Sequence, residues 1–179
     1  MTKVQIIGLN TPAPVDNIET FRNIIFSICP NGFTLAGRFE MGQKYTYDTA
    51  LNDVAADTNA FEMGQKYTYD TALAEIKRGK KETHWIWYIF PIMAGLGKSE
   101  KSQYYALRDR IDAIFYLLDP TLGTRLIECT EAILESGKSA YEIFGNDTWK
   151  VYCCMRLFNS LCYGMNPFKK VLLKNHWNE

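Results

Sequence analysis

The sequence lacks an excess of charge of either sign. It carries 20 Lys and Arg residues against 20 Asp and Glu residues, so its formal net charge is zero. Nucleic-acid binding depends on a basic face that displaces counterions from phosphates, and a balanced chain gives no reason to expect one. The same balance argues against attraction to an anionic membrane surface. We therefore predict neither a nucleic-acid partner nor a membrane partner.

Long hydrophobic runs are also missing. A transmembrane helix needs about 18–20 consecutive apolar residues. The most apolar stretch, residues 85–97, is interrupted by Pro91, Gly95 and Gly97. Near the N-terminus, residues 4–9 form an apolar patch that is too short for the core of a signal peptide. These absences predict a cytoplasmic protein.

Cysteine and histidine are scarce and show no motif spacing. The five cysteines are Cys29, Cys129, Cys153, Cys154 and Cys162, and the two histidines are His84 and His176. An odd cysteine count without a secretory signal predicts free thiols in a reducing compartment. The spacing is not that of a zinc site, so no metal site is predicted. A cysteine nucleophile would require the fold to bring a thiol to one of the two histidines.

Signatures of nucleotide hydrolysis and acyl transfer are absent as well. Gly97-Lys98-Ser99 looks like the end of a phosphate-binding loop, but that loop needs a glycine at position 92, which is Ile92. The chain has no Ser/His/Asp motif and no paired-carboxylate motif. The sequence therefore assigns no reaction and no cofactor, and whether the chain is an enzyme stays open.

What the chain does contain is typical of one globular helical domain. Its 179 residues are 47% hydrophobic and 14% aromatic, enough for a single packed core. No stretch shows sustained alternation, and the only strand candidates are residues 4–9 and 86–90. Helix boundary signals are frequent: Asp16 with Glu19, Gly79, Ser99, Asp119 before Pro120, Ser139 with Glu142, Asp147, and Asn166 before Pro167. We predict a mainly α, single compact multi-helix domain with at most a short strand element.

An exact repeat divides the first part of the chain. Residues 39–51 and 61–73 both read FEMGQKYTYDTAL, with an offset of 22 residues, or about 6.1 helical turns. In the second copy the residues Phe61, Gln65, Tyr69, Leu73 and Ile76 fall near one helical stripe. We predict an N-terminal extension, partly helical, over residues 1–38, and an inserted helical copy over 39–60. The second copy then begins the main helical domain, residues 61–179.

The most distinctive segment is aromatic. Five residues out of seven carry rings, namely His84, Trp85, Trp87, Tyr88 and Phe90. Indole and phenol rings provide broad flat surfaces with a polar tip, which suits the stacking of a ligand ring. The alternative is a core segment that joins several helices.

Two cations stand out from the pattern of their predicted helices. Arg125 lies at the border of an apolar stripe, where a guanidinium either binds a carboxylate or phosphate or extends into water. Lys150 lies on the apolar side of the helix that follows Asp147. A buried lysine is costly unless it is paired or its ammonium passes the helix end.

Several ordered blocks carry a family resemblance. They are FEMGQ at residues 61–65, Tyr69, ALAEIKRGKK at 72–81, HWIWYIFP at 84–91, GLG at 95–97 with Ser99, Tyr104 and Tyr105, LDPTLGTRL at 118–126, SAYEIFG at 139–145, Lys150, MRLF at 155–158 and PFKKVL at 167–172. Over roughly residues 60–176 the sequence resembles the domain-of-unknown-function family 1810. The resemblance implies a mainly helical single domain and no established activity. Residues 1–38 and the first repeat copy have no counterpart in it.

These features support three hypotheses of different kinds. The first is a pocket for a small anionic or nucleotide-like ligand, with His84 as a candidate acid or base. Its ligand-binding residues would be Trp85, Trp87, Gln103, Tyr104, Arg125 and Lys150, and it requires them to converge. The second is a non-catalytic protein–protein interaction module with the aromatic block in the core. The third is a cysteine hydrolase or transferase. Oligomeric state is not predicted.

Overall fold

The chain forms short helices joined by tight turns in the computed structural model, which describes residues 60–162 and 164–177. Residues 60–65 are helical, and eight further helices follow: α1 (Tyr69–Arg78), α2 (Ile86–Ile89), α3 (Glu100–Tyr104), α4 (Arg110–Leu118), α5 (Leu122–Glu135), α6 (Ala140–Phe144), α7 (Thr148–Asn159) and α8 (Pro167–Lys174). A 3₁₀ turn, Gly145–Asp147, joins α6 to α7. Within the described ranges there is no sheet, and Met93 and Leu107 form an isolated bridge. The prediction of a mainly α single domain is confirmed.

Helix starts follow the capping residues in three places. The Ser99 hydroxyl accepts a hydrogen bond from the backbone N–H of Ser102 at the start of α3. Ser139 and Glu142 form a reciprocal capping box at α6. At α8 the Asn166 side chain accepts from the N–H of Lys169, and proline occupies the first helical position. Local chemistry therefore determines these boundaries.

Helix ends obey the same local chemistry at Gly79, which closes α1 with φ = 75°. The prediction for Asp119 and Pro120 is wrong, because α5 begins at Leu122 with Thr121 as its N-cap and leaves Pro120 in the turn. The Asp119 carboxylate still accepts hydrogen bonds from the N–H groups of Thr121 and Leu122.

Two further predictions, a strand at residues 86–90 and a helix cap at Asp147, are wrong. Residues 86–90, a strand candidate, form the single helical turn α2, because an apolar run buried on all sides has no period that separates strand from helix. Asp147 makes no side-chain cap at α7. That helix ends at Asn159, where the Ser160 hydroxyl donates to Leu157 O and the next N–H groups bond three residues back.

Helix α5 lies at the centre of the packing. It contacts α1, α2, α4 and α8, while α7 packs against α8, α6 and α4. The predicted stripe of α5 is entirely buried: Leu122, Leu126, Cys129 and Ile133 each have no exposed surface. One connected apolar cluster extends from Phe61 to Leu172. The described helices therefore share a single core.

The second repeat copy lies in that core. Phe61, Gln65 and Ile76 are buried, and Tyr69 and Leu73 pack against the cluster. A turn at residues 66–68 interrupts the helix, yet the predicted stripe stays on one side. The extension 1–38, the inserted copy 39–60 except its last residue, the strand candidate 4–9 and the helix starting at Asp16 lie outside the described residues. No helix within the described residues has the length and apolar character to cross a bilayer.

Candidate anion-binding site

An ion-paired lysine marks the start of α7. The Lys150 ammonium donates to Asp147 Oδ1 over 2.6 Å, and the Lys81 ammonium lies 2.8 Å from Asp147 Oδ2. Asp147 is part-buried, and burial alone would raise its pKa. The two lysines outweigh that effect and hold the pKa below its ordinary value. Lys150 is thus paired, as a partly buried lysine requires, and Lys81 is a neighbour that the sequence did not reveal.

The same lysine reaches the aromatic segment. The Lys150 ammonium lies 5.1 Å from the centre of the Trp87 ring, and the Lys101 ammonium of α3 lies 5.4 Å from it. Both distances allow cation–π attraction. Lys101 is exposed, and no carboxylate within the described residues forms a salt bridge with it. Three separate elements, α2, α3 and α7, therefore bring one indole and two ammonium groups together.

The polar tip of Trp87 has no partner. Its Nε1 is buried, and no hydrogen-bond acceptor within the described residues lies in reach. Leaving a buried donor unpaired costs about 1–3 kcal/mol. Native proteins leave few such groups, and those that occur need a reason. A donor beside two cations is the arrangement that an anionic acceptor would complete.

Trp85 is different, although it lies only two residues away. Its side chain is 1% exposed, and its indole N–H donates to Glu75 Oε2 over 2.8 Å. That carboxylate also accepts from the N–H groups of Glu82 and Thr83 and from the Thr83 hydroxyl. No face of the Trp85 ring is open for stacking, and we leave it out of the site.

Glu75 stays charged in spite of its position. Burial opposes ionisation, but hydrogen bonds from Thr83, Glu82 and Trp85 outweigh it and lower the pKa of this carboxyl to about 2. The carboxylate holds the loop after α1 against the start of α2. Its role is therefore to position the segment that carries Trp87.

Arg125 lies in a separate set of contacts. Its guanidinium stacks 4.5 Å from the centre of the Tyr69 ring, and one N–H donates to Gln65 Oε1 over 3.3 Å. The Tyr69 hydroxyl in turn donates to Glu128, and burial together with that carboxylate raises the tyrosine pKa. Gln65 is fully buried and donates to Tyr88 O and to the Tyr116 hydroxyl. These contacts give Arg125 a structural role that joins α5 to the second repeat copy.

The remaining predicted residues lie at the surface. His84 and Gln103 are exposed, and their side chains have no partner within the described residues. Tyr104 is 70% exposed and meets Tyr105 edge to face, with ring centres 4.9 Å apart. Tyr104 follows Lys101 by three residues in α3, so the two side chains share a helix face. The structure thus groups Trp87 with Lys150 and Lys101, and it places Tyr104 one helical turn from Lys101.

The sequence did not reveal Lys81, Lys101 or the pairing role of Asp147. The contacts of Lys81 and Lys101 join segments that are distant in sequence, so no local pattern distinguishes these two lysines. Lys101 is an example, because nothing in the sequence distinguishes it from any other exposed lysine in a short helix. Asp147 lies only three residues before Lys150, a spacing at which helical side chains meet.

The thiols give no support to a cysteine nucleophile. Burial raises the pKa of Cys129, Cys153 and Cys154, and that of Cys162 to about 12, so these groups stay protonated at neutral pH. None of them hydrogen-bonds to His84 or His176 within the described residues, and Cys29 lies outside those residues. The same residues contain no cluster of His, Cys, Asp and Glu side chains that would hold a metal ion.

Comparison with known proteins supports the fold. The chain is similar to a crystal structure of the conserved hypothetical protein Rv1873 from Mycobacterium tuberculosis, with a TM-score of 0.65 and 33% sequence identity. The alignment covers 68% of this chain and 88% of that one. No curated protein matches the chain.

A family model matches most of the chain. The model described as "Protein of unknown function (DUF1810)" aligns with residues 55–178. This span includes every helix described above and the site at Trp87, and it confirms the resemblance drawn from the sequence blocks. The chain therefore belongs to the DUF1810 family.

Proposed function

We propose that this protein binds a small anionic ligand, such as a phosphate-bearing or nucleotide-like molecule, at Trp87, Lys101 and Lys150. The observation that carries the proposal is the buried indole N–H of Trp87, which lacks an acceptor while two ammonium groups lie beside its ring. Because Nε1 is buried, a ligand oxygen reaches about 3 Å from it and completes the hydrogen bond only when the side chains around it move aside.

The charge around the indole favours an anion. Asp147 is shared between Lys81 and Lys150, so one carboxylate balances two ammonium groups. Lys101 adds another positive charge without a carboxylate partner in the described part of the chain. A bound anion would therefore replace electrostatic repulsion among the lysines with attraction.

Exposed side chains on or beside the helices that carry this cluster suit a ligand larger than a bare anion. Tyr104 presents most of its ring to solvent on the same helix as Lys101. A planar base could stack on that ring while its phosphate reaches the lysines. His84 and Gln103 are exposed on the flanking elements and would supply further hydrogen bonds.

The test follows the four indole N–H signals in a nitrogen-15 NMR spectrum. Each signal is assigned by replacing one tryptophan with phenylalanine. Inorganic phosphate and then adenosine monophosphate are added at low salt. We expect the Trp87 signal to shift in a saturable way and the Trp85 signal to stay in place, because its donor is already bonded to Glu75.

Two lysine variants test the electrostatic part. Lys150→Met and Lys101→Met should each weaken phosphate binding about tenfold, since a hydrogen bond to a charged group contributes about 1.5–3 kcal/mol. Lys170→Met removes an exposed lysine of α8 and serves as the matched control. An unmoved Trp87 signal, or an equal loss in the control, would contradict the proposal. If neither anion shifts any indole N–H signal, the alternative of a protein–protein interaction module would be favoured.

A further inference from the structure

A hollow lies between the start of α7 and the end of α8. Its volume is about 640 Å³, and it is open to solvent. Its lining residues are Thr148, Trp149, Tyr152, His176 and Trp177. Three of the five are large aromatic residues, and none of them contributes to the anion-binding cluster.

The aromatic walls meet around Tyr152. Its ring centre lies 5.3 Å from that of Trp149 and 5.4 Å from that of Trp177. The Tyr152 and Trp177 planes are nearly perpendicular, at 76°, whereas those of Tyr152 and Trp149 differ by 37°. Trp149 leaves 56% of its surface in water. The hollow therefore exposes a broad indole face beside two other rings.

The backbone at His176 is unusual. Its φ is 55°, and it is the only non-glycine residue with positive φ in the described ranges. The N–H of His176 bonds to Leu173 O and that of Trp177 to Leu172 O, a pair that closes α8 in a Schellman motif. At the end of α1 the same pair of bonds forms around Gly79.

The two helices carry different residues at this left-handed position, glycine in α1 and histidine in α8. A side chain at this position is disfavoured, and α1 avoids the strain with glycine. Helix α8 instead carries a histidine that lines the hollow. Helix α8 thus holds an imidazole at the wall of the hollow, where the corresponding position of α1 has no side chain.

The charges define the class of ligand. None of the five lining residues is a carboxylate. The Arg156 guanidinium donates to the Tyr152 hydroxyl over 2.9 Å and lies 5.8 Å from the centre of its ring. A cationic ligand would therefore bring a second positive charge to a ring already next to one. An uncharged planar ring meets no such repulsion and would stack on the open indole.

We propose that this hollow is a binding site for a planar heteroaromatic ring, such as the base of a nucleoside. The ring stacks on Trp149 against the edge formed by Tyr152 and Trp177. The His176 imidazole hydrogen-bonds to heteroatoms at the ring edge. This site is separate from the anion site and goes beyond the function proposed above.

The experiment uses the full chain and the same indole signals, with adenosine as the probe. Adenosine carries a planar base and no charge. We expect saturable shifts of the Trp149 and Trp177 signals and no shift of the Trp87 signal. Ribose, which lacks the base, should move none of them. Phosphate acts on Trp87 and adenosine on Trp149 and Trp177, so the two proposals can fail independently.

Variants of the lining residues test the roles of Trp149 and His176 separately. Trp149→Leu should abolish adenosine binding, and His176→Gly should weaken it at least fivefold while the protein stays folded, since glycine suits the φ of that position. Tyr141→Leu removes another highly exposed ring, on α6, and is the matched control.

Three outcomes would overturn the proposal. One is binding of tetramethylammonium or of an oligoproline peptide at the same signals in place of adenosine. Another is adenosine binding by His176→Gly that is as tight as in the unaltered protein. The third is an absence of any response from Trp149 and Trp177.

Discussion

Trp85 and Trp87 show how two residues with the same side chain acquire different roles. Both lie in the aromatic segment, and both carry an indole N–H. Trp85 donates to Glu75 inside the core, whereas the buried donor of Trp87 has no acceptor in the described part of the chain. The two side chains differ in their partners: the Trp85 N–H donates to the Glu75 carboxylate of α1, whereas the Trp87 ring lies beside the lysines of α3 and α7.

The two tryptophans make a matched pair for mutation. Trp85→Phe should lower the free energy of unfolding by about 2–4 kcal/mol, because it opens a cavity and leaves a buried carboxylate with one donor fewer. Trp87→Phe should cost less than about 1 kcal/mol, because it also removes an unpaired buried donor. Urea unfolding at pH 7 measures both. Equal losses would contradict the view that the Trp87 donor is unsatisfied.

The Glu75 carboxyl predicts an acid-dependent stability. Its pKa is about 2 in the folded protein against an ordinary value of 4.5. A lowered folded pKa gives stability that is present above 4.5 and is lost as the pH falls through about 2. The linkage amounts to about 3 kcal/mol.

Glu75→Gln should remove this part of the pH dependence between 4.5 and 2 and destabilise the protein at pH 7. Urea unfolding midpoints across that range provide the measurement. Glu62→Gln is the control. It replaces a part-buried carboxylate in the helical segment 60–65 and should leave the change of unfolding free energy with pH as it is in the unaltered protein. An unchanged slope in Glu75→Gln would show that the carboxyl does not titrate with folding.

At the scale of helices, the ends of α1 and α8 are the informative comparison. Both close with the same pair of backbone hydrogen bonds, around Gly79 with φ = 75° and around His176 with φ = 55°. The motif needs only a left-handed residue at this position, and glycine adopts that conformation without steric cost. Helix α8 thus accepts strain that α1 avoids.

Opposite substitutions at the two ends should therefore have opposite effects. His176→Gly should raise the free energy of unfolding by about 1 kcal/mol, while Gly79→Ala should lower it by about 1–2 kcal/mol. Thermal unfolding measures both changes. If His176→Gly destabilised the protein, the imidazole would be a structural contact rather than a strained residue kept for binding.

For the whole molecule, the exact repeat raises the question of which copy packs into the core. The family match begins at residue 55, and the apolar cluster of the described residues includes Phe61, so we expect the second copy to supply the family's own helix. Phe61 meets Tyr116 edge to face at 5.0 Å, and Gln65 bonds to Tyr88 O and to the Tyr116 hydroxyl. These contacts require one copy only.

Identical copies provide their own control. Phe61→Ala should lower the free energy of unfolding by about 3–5 kcal/mol, the usual cost of deleting a buried aromatic ring. Phe39→Ala makes the same change in the same local sequence and should have little effect, since we expect the second copy to occupy the native position. Thermal unfolding of both variants decides the matter. Equal losses would show that the first copy also contributes to a core.

Local chemistry explains why much of the fold was predictable. Ser99, Ser139 and Asn166 cap helices through atoms within three residues, and the stripe of α5 depends only on the helical period. Such features depend on near neighbours in the chain, so the sequence by itself determined them, together with the family.

The candidate sites depended on contacts that only the tertiary structure decided. The convergence of Lys101 and Lys150 on Trp87 joins residues 14 and 63 positions apart from it, and no periodic pattern encodes such a meeting. Arg125 looked equivalent to Lys150 in the sequence, yet packing placed it over Tyr69. The hollow beside His176 likewise exists only where α7 and α8 meet. Side-chain partners across a fold follow from how helices pack, and that packing is a property of the whole core.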